Sequence, residues 1–373
     1  MGRSLRGSVT PDAPGQKGCC DSDENSREPD ARKTKEEIGA PSSAAGGLTQ
    51  SSRQPEGETP RATHGTREVA RVALWFEETA SPAHRLGWKV RRVLADEVTP
   101  YQRIQVVETE QFGRALVLDG IVQTTEGDEF IYHEMLSHVA LTTHPNPRRV
   151  LIVGGGDGGT AREVLGAEGP EDVVLAEIDP RVIEICRAYL PGHTSALDDP
   201  RLHIEIADGA RYVEAHAGAF DVILVDATDP EGDGPGRVLY TERFHQVLRR
   251  ALRPGGLYVQ HAGAPFYNPE VLESVTASAA QVFPIVRVFT APIPTYPGAY
   301  FSFVVGSLGP DPLSPKGSSV SHSTRWYTPA VHRSAFTLPP YVLRLLPESV
   351  RTACAEPETS PGMPSTLSVE RSS

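Results

Sequence analysis

The feature that rules out most folds lies in the middle of the chain. Val150-Leu-Ile-Val153 runs without a polar break into Gly154-Gly-Gly-Asp157-Gly-Gly159, and a helical pattern begins near Thr160. An unbroken apolar run of this kind predicts a strand covered on both faces. Glycines after it let the backbone come close to a ligand, and the helix that follows presents free N–H groups beside it. An acidic residue closes the next apolar run, Glu177 in Ala176-Glu-Ile-Asp179, where a ribose hydroxyl pair is gripped in nucleoside-binding α/β sheets.

The same alternation continues on both sides of that point. Strands are predicted at Val150–Val153, Asp172–Glu177, Leu202–Ile206, Phe220–Val225 and Gly256–Gln260, with helical segments between them, the pattern of a parallel sheet covered on both faces. Ile285–Thr290 and Ala299–Val305, joined through a turn rich in proline, predict an antiparallel pair closing the sheet edge. Upstream, Ile104 and Val106 alternate with polar neighbours, and Gln111-Phe112-Gly113 and Asp119-Gly120 are turn sequences. Together they predict a small β-hairpin module between Trp88 and Gln123. Asp128–Leu141 reads as a helix with Ile131, Met135, Leu136 and Val139 on one side. The expected fold class is α/β, a Rossmann-like sheet of the methyltransferase type with a small N-terminal β-hairpin domain.

Composition sets the domain limits. The 373 residues overstate the folded part, because the stretch from Met1 to about Gly65 contains no Phe, Trp or Tyr and is dominated by Ser, Gly, Pro and charges. The reading is a disordered extension over 1–66, a β domain over 67–125, a catalytic domain over 126–307, a linker over 308–323, a docking segment over 324–347 and a disordered tail over 348–373. The docking segment contains Trp326-Tyr327, Tyr341, Val342 and Leu345. A formal net charge of -12 argues against a nucleic-acid surface and fits a cationic partner. Cys19, Cys20, Cys186 and Cys354 show neither metal spacing nor a disulfide framework, and no apolar run approaches the length of a membrane span. The expectation is a cytoplasmic protein with no metal and no contact with membrane or nucleic acid.

The acids at the strand ends narrow the ligand. Asp157 sits where a dinucleotide places its pyrophosphate, and a carboxylate there repels that anion by a few kcal/mol in a partly dry site. An adenosyl sulfonium carries no phosphate and suits the loop. Its decarboxylated form brings only cationic groups, which the surrounding acids favour. Asp208 in Ala207-Asp-Gly209 falls where an adenine amino group needs an acceptor, although taken alone an aspartate before glycine reads first as a turn residue. Asp226 and Asp229 in Asp226-Ala-Thr-Asp-Pro230 lie at the carboxyl edge of the sheet. Carboxylates crowded in this way need cations, and with no clustered His or third chelating residue at useful spacing a dicationic amine fits better than a metal.

These residues also carry a resemblance. Gly154-Gly-Gly-Asp-Gly-Gly159, Glu177-Ile-Asp179, Asp208-Gly209, Asp226-Ala-Thr-Asp-Pro230 and Ile293-Pro-Thr-Tyr-Pro297 resemble the ordered motifs of spermidine synthases. So do Asp119-Gly120 and Glu126-Gly-Asp-Glu-Phe-Ile-Tyr-His-Glu-Met135 upstream, and the likeness spans about Trp88 to Ser307 and Arg325 to Leu346. The resemblance implies that Gln102, Asp157, Glu177, Asp179, Asp208 and Gly209 hold decarboxylated S-adenosylmethionine as co-substrate. It places Tyr132, His133, Asp229, Gln260 and Tyr296 around the polyamine, with Asp226 as proton acceptor. Ala227 departs from the serine common in that motif. The implied reaction is transfer of an aminopropyl group to putrescine, giving spermidine and methylthioadenosine, by a homodimer or homotetramer with no tightly bound cofactor. Agmatine, cadaverine or spermidine as acceptor remain alternatives. An S-adenosylmethionine-dependent methyltransferase is a further one, although methyl transfer needs no second ammonium pocket. A non-catalytic polyamine-binding protein is the reading outside enzymes, and the retained acids and tyrosines count against it.

Overall fold

Consecutive apolar residues in the central strands are explained by what lies on each side of them. Val150, Ile152, Val173, Leu175, Val222 and Leu224 point into one layer of core, while Leu151, Val153, Val174, Ala176, Ile223 and Val225 point into the other. A strand with a single covered face would alternate instead.

The computed structural model describes residues 73–81, 83–230, 235–317, 320 and 323–355. The expected disordered extension over 1–66 lies outside these residues. The strands are β1 (Leu74–Ser81), β2 (His84–Val98), β3 (Arg103–Thr109), β4 (Arg114–Leu118), β5 (Ile121–Thr125), β6 (Arg149–Gly154), β7 (Asp172–Glu177), β8 (Leu202–Ile206), β9 (Phe220–Asp226), β10 (Leu252–His261), β11 (Ile285–Ala291) and β12 (Phe301–Ser307). The helices are α1 (Glu129–Thr143), α2 (Gly159–Gly166), α3 (Pro180–Tyr189), α4 (Gly209–Ala215), α5 (Glu242–Ala251), α6 (Pro269–Val282), α7 (Pro329–Ala335), α8 (Pro340–Leu343) and α9 (Glu348–Ala355). None of the described helices is long and apolar enough to cross a membrane.

Seven strands form the central sheet in the order β11-β12-β10-β9-β6-β7-β8. Strands β8, β7, β6, β9 and β10 are parallel neighbours, and β12 runs antiparallel between β10 and β11, as the sequence expects of an edge pair. Strand order reverses at β6, whose neighbours are β7 on one side and β9 on the other. Ligands of open α/β sheets bind in the crevice that such a reversal opens at the carboxyl ends of the strands. In register, Gly154 at the end of β6 pairs with Asp226 at the end of β9, so the glycine loop and that acid start out side by side.

The N-terminal module is larger than the expected hairpin. It is a five-stranded antiparallel sheet in the order β1-β2-β3-β4-β5. Much of its pairing is ionic, with Arg92 2.6 Å from Glu108 and Arg103 2.7 Å from Asp96 across neighbouring strands. Cross-strand charge pairs stabilise a sheet as apolar pairs do, but they give no apolar alternation to read in sequence.

Helix α1 also departs from the one-sided pattern. Beside its apolar residues it buries Glu129, His133, Glu134, Ser137 and His138. Glu134 accepts three main-chain hydrogen bonds, from Arg325 at 2.7 Å, Trp326 at 2.8 Å and Tyr327 at 2.7 Å. Arg325 then lies over the Phe130 ring at 3.7 Å, and Tyr327 is buried in the core. One carboxylate on α1 thus fastens the C-terminal segment to the body. The linker over 308–323 contains no helix or strand among its described residues. The tail expectation needs correction: residues 348–355 form α9, with Val350 buried and Cys354 against the same core layer. Two helical turns with one apolar face are lost when composition is averaged over a stretch rich in Pro, Ser and Thr.

Replacing Glu134 with alanine leaves three N–H groups without an acceptor, that of Tyr327 buried and those of Arg325 and Trp326 partly so. The Glu134→Ala variant is expected to lose about 3 kcal/mol of stability. Chemical denaturation followed by tryptophan fluorescence measures it, and a loss under 1 kcal/mol refutes the fastening role.

Candidate active site

The loop after β6 is shaped by two close approaches. Gly155 (φ 71°) donates its N–H to the Asp226 carbonyl at 2.7 Å, and a Cβ there would sit 2.9 Å from Asp226 Oδ2. Any side chain would therefore push the acid away, beyond the strain of a left-handed backbone. At the start of α2, a Cβ on Gly159 would run into the His133 ring, and the Gly159 N–H donates to Asp157 Oδ1 at 2.7 Å. The loop thereby turns Asp157 back toward α1.

A cavity of about 490 Å³ opens at this point. Lining it are Gln102, Asp157, Glu177, Asp208, Gly209, Asp226 and Asp229 from the expected set, together with Tyr132, His133 and Tyr296. The small β-sheet contributes Leu116, Leu118, Val122 and Gln123 to its wall. Two expected residues stand behind the wall. Asp179 caps α3 through the Arg181 N–H at 3.0 Å, and its Oδ2 receives hydrogen bonds from Thr99 at 2.7 Å and Gln102 Nε2 at 3.1 Å. It positions Gln102. Gln260 is fully buried and donates to the Leu239 carbonyl at 3.0 Å.

Each lining acid is held by a different device. Asp226 Oδ1 accepts from the Tyr132 hydroxyl at 2.9 Å and Oδ2 from the Thr160 hydroxyl at 2.7 Å. Glu177 accepts from the N–H groups of Gly156 at 3.2 Å and Asp179 at 2.9 Å. Asp208 caps α4, accepting from Ala210 at 3.0 Å and Arg211 at 3.2 Å, and it also lines the cavity. Asp229 lies 3.3 Å from His261 Nδ1. The Tyr296 hydroxyl donates to the Gln123 carbonyl at 2.6 Å, linking β5 to the cavity roof.

Sequence reasoning missed Thr160, His261 and a chain of buried charges behind His133. His133 Nδ1 meets Glu129 Oε2 at 2.6 Å and its Nε2 lies 3.6 Å from Asp157. Arg162 spans Glu129 at 2.8 Å and Glu163 at 2.9 Å, and Glu163 meets His138 at 3.0 Å. Glu129 and His133 stand four apart on α1, and that spacing was the available signal.

Crowding shifts these groups in opposite directions. Burial opposes the charge on His133, but Asp157 and Glu129 outweigh it and hold the imidazole well above its usual range. Burial likewise opposes ionisation of Glu129, yet His133 and Arg162 bring it down to about 2. Burial pushes Glu177 up to about 7 against its backbone donors. Asp226 is raised by burial and then by the charge of Asp157. Burial, followed by the charge of Asp226, raises the Tyr132 and Tyr296 hydroxyls, which therefore act as neutral donors. Among the described residues no three His, Cys, Asp or Glu side chains are grouped to hold a metal ion.

Known proteins of similar sequence and structure show the family. Residues 129–311 match the family of the spermine/spermidine synthase domain, and residues 74–126 match that of the spermidine synthase tetramerisation domain. A polyamine aminopropyltransferase of a Thermoanaerobacter species is 45% identical over 278 residues, covering 74% of this chain and 100% of its own. One from Clostridium kluyveri is 45% identical over 270 residues, covering 72% and 98%. A crystal structure of a spermidine synthase in complex with the transition state analogue AdoDATO superposes with a TM-score of 0.71 at 40% identity, covering 73% of this chain and 94% of that one.

Glu177 supplies a pH test. Its folded pKa is raised, so its ionisation weakens the ligand-free fold as pH climbs from its unfolded value of 4.5 through about 7. Relative to the native protein, Glu177→Gln is expected to gain on the order of 2 kcal/mol between pH 5 and pH 8. Denaturant unfolding at the two pH values checks this, and a stability difference independent of pH contradicts it.

Proposed function

The chain belongs to the spermine/spermidine synthase family of polyamine aminopropyltransferases, and on that footing we propose that it transfers the aminopropyl group of decarboxylated S-adenosylmethionine to putrescine. The observation that carries this reading is Asp226. It is a carboxylate of raised pKa whose two oxygens are aimed by Tyr132 and Thr160, in one cavity with Asp157 and Glu177.

Glu177 takes the ribose hydroxyls, Asp208 and Gly209 the adenine edge, and Gln102, set by Asp179, closes the nucleoside side. Asp157 faces the sulfonium and the aminopropyl chain, kept ionised by His133 behind it. The acceptor amine enters beside Tyr132, Asp229 and Tyr296, with Gln260 supporting the wall. A primary amine has a pKa near that of lysine, about 10.4, so it arrives protonated and without a free lone pair. Asp226 accepts that proton, and its raised pKa narrows the gap the transfer has to cross. The freed nitrogen forms the new C–N bond at the methylene next to sulfur. As the C–S bond breaks, its electron pair returns to sulfur and methylthioadenosine leaves as a neutral thioether. Asp229 holds the far ammonium, which sets the length of diamine that fits. The match of residues 74–126 to a tetramerisation domain supports a homo-oligomer built through the small β-sheet.

The deciding assay supplies decarboxylated S-adenosylmethionine with putrescine, cadaverine, agmatine and spermidine in parallel. Spermidine formation from putrescine is expected to exceed all other products, and preference for another amine reassigns the acceptor. The Asp226→Asn variant is expected to lose on the order of 100-fold or more in kcat, because the proton has no acceptor. Near-normal turnover by that variant removes Asp226 from the role.

A further inference from the structure

The acid assigned to the far ammonium already has a cationic neighbour within reach. His261, the last residue of β10, lines the cavity with Nδ1 3.3 Å from Asp229 Oδ1. Its Nε2 meets the Ala227 carbonyl and stands 3.0 Å from the Tyr240 hydroxyl. That hydroxyl donates to the Thr228 carbonyl at 3.3 Å, so it turns a lone pair toward the ring. The imidazole stacks on Phe301, with centroids 5.4 Å apart, and meets the Tyr132 ring edgewise at 6.1 Å. Only 4% of its side chain is exposed.

A neutral imidazole carries one N–H and one lone pair, so one of its nitrogens needs a donor opposite it. At His261 both nitrogens face acceptors: a carboxylate at Nδ1, a carbonyl and a hydroxyl oxygen at Nε2. The Asp229 contact at Nδ1 is an ion-pair distance without hydrogen-bond alignment, and a protonated ring sets positive charge against each of these oxygens. The ionisable groups facing it are Asp229 and Asp226 from the end of β9, Tyr240 from the turn before α5 and Tyr132 from α1. Burial disfavours the imidazolium, while Asp229, the Ala227 carbonyl and Asp226 favour it and prevail, raising the pKa.

We propose that His261 determines acceptor specificity: as an imidazolium paired with Asp229 it offsets the carboxylate meant for the distal ammonium, so a diamine binds by competing with this internal cation. A monoamine has no distal ammonium and does not enter the competition. The inference rests on the aminopropyl-transfer reading of the same cavity.

It has a pH signature. Because the folded pKa of His261 is raised, the pairing is favoured at low pH and is lost as pH rises through that raised value. Alkyl ammonium groups stay charged up to about pH 10. Discrimination for a diamine over a monoamine therefore rises with pH in the native protein. In His261→Asn it is already high at pH 6.5.

The test is calorimetric binding of 1,4-diaminobutane and n-butylamine to the full chain at pH 6.5 and pH 8.5. The ratio of the two affinities is expected to rise on the order of 5-fold between those pH values in the native protein, and to be high and flat in His261→Asn. A ratio that moves equally with pH in both proteins overturns the proposal, and so does a parallel loss of both amines, which marks a purely structural residue. Should the variant fail to fold, NMR titration of the native His261 ring against Asp229→Asn decides. A ring pKa not raised in the native protein, or not lowered by that substitution, also overturns it. Turnover is scored separately: a native chain that binds the diamine but transfers no aminopropyl group refutes the reaction and leaves the affinity ratio as the measure of His261.

Discussion

Mutual repulsion among Asp157, Glu177 and Asp226 is the constraint that the rest of this structure answers. All three line one cavity at the carboxyl edge of a parallel sheet, where burial magnifies every charge. A fold that gathers them must hold each in place without letting all of them simply protonate. The solutions differ along the sheet. Glu177 leans on backbone N–H groups and remains poised near neutrality. Asp226 is steadied by two hydroxyls that orient it without cancelling its charge. Asp157 faces an imidazolium.

That imidazolium is itself part of a longer chain. His133, Glu129, Arg162 and Glu163 alternate in sign through the contact between α1 and α2, and His138 meets Glu163 at the end of the chain. Buried ion pairs of this kind add little net stability, because desolvation offsets most of the attraction. What such a chain provides here is a fixed positive edge under the glycine loop. The Gly159 position makes the coupling tight, since no side chain fits between the loop and the His133 ring. Elsewhere in the cavity lining, His261 is set against Asp229 in a similar pairing.

The small β-sheet belongs to the same economy of charge. It brings apolar side chains, the Gln123 carbonyl for Tyr296, and Gln102 held by Asp179 to a wall that the α/β domain lacks. Enclosing the cavity lowers its local dielectric and strengthens the field of the acids on a cationic ligand. The C-terminal segment, tied down by Glu134, buttresses α1 from behind, so the helix that carries Tyr132 and His133 is clamped on both sides.

Much of this was legible in the amino-acid sequence. Unbroken apolar runs ending in Gly154 to Gly159, Glu177 and Asp226, with the alternating run Leu202–Ile206 before Asp208, specified a parallel sheet with acids at one edge, because strand geometry puts the ends of parallel strands on the same side. The ionic pairing of β1 to β3 and the short helix α9 were not legible, since charged cross-strand pairs and two isolated turns leave little apolar periodicity. Nor could the sequence show that Asp179 and Gln260 stand behind the cavity wall, that Thr160 reaches Asp226, or that His261 faces Asp229 across 32 positions of chain. Strand ends are set by local pattern, which sequence carries. Which side chains then meet depends on how β6, β9 and β10 line up in register and how α1 lies across them, and only the tertiary structure decides that.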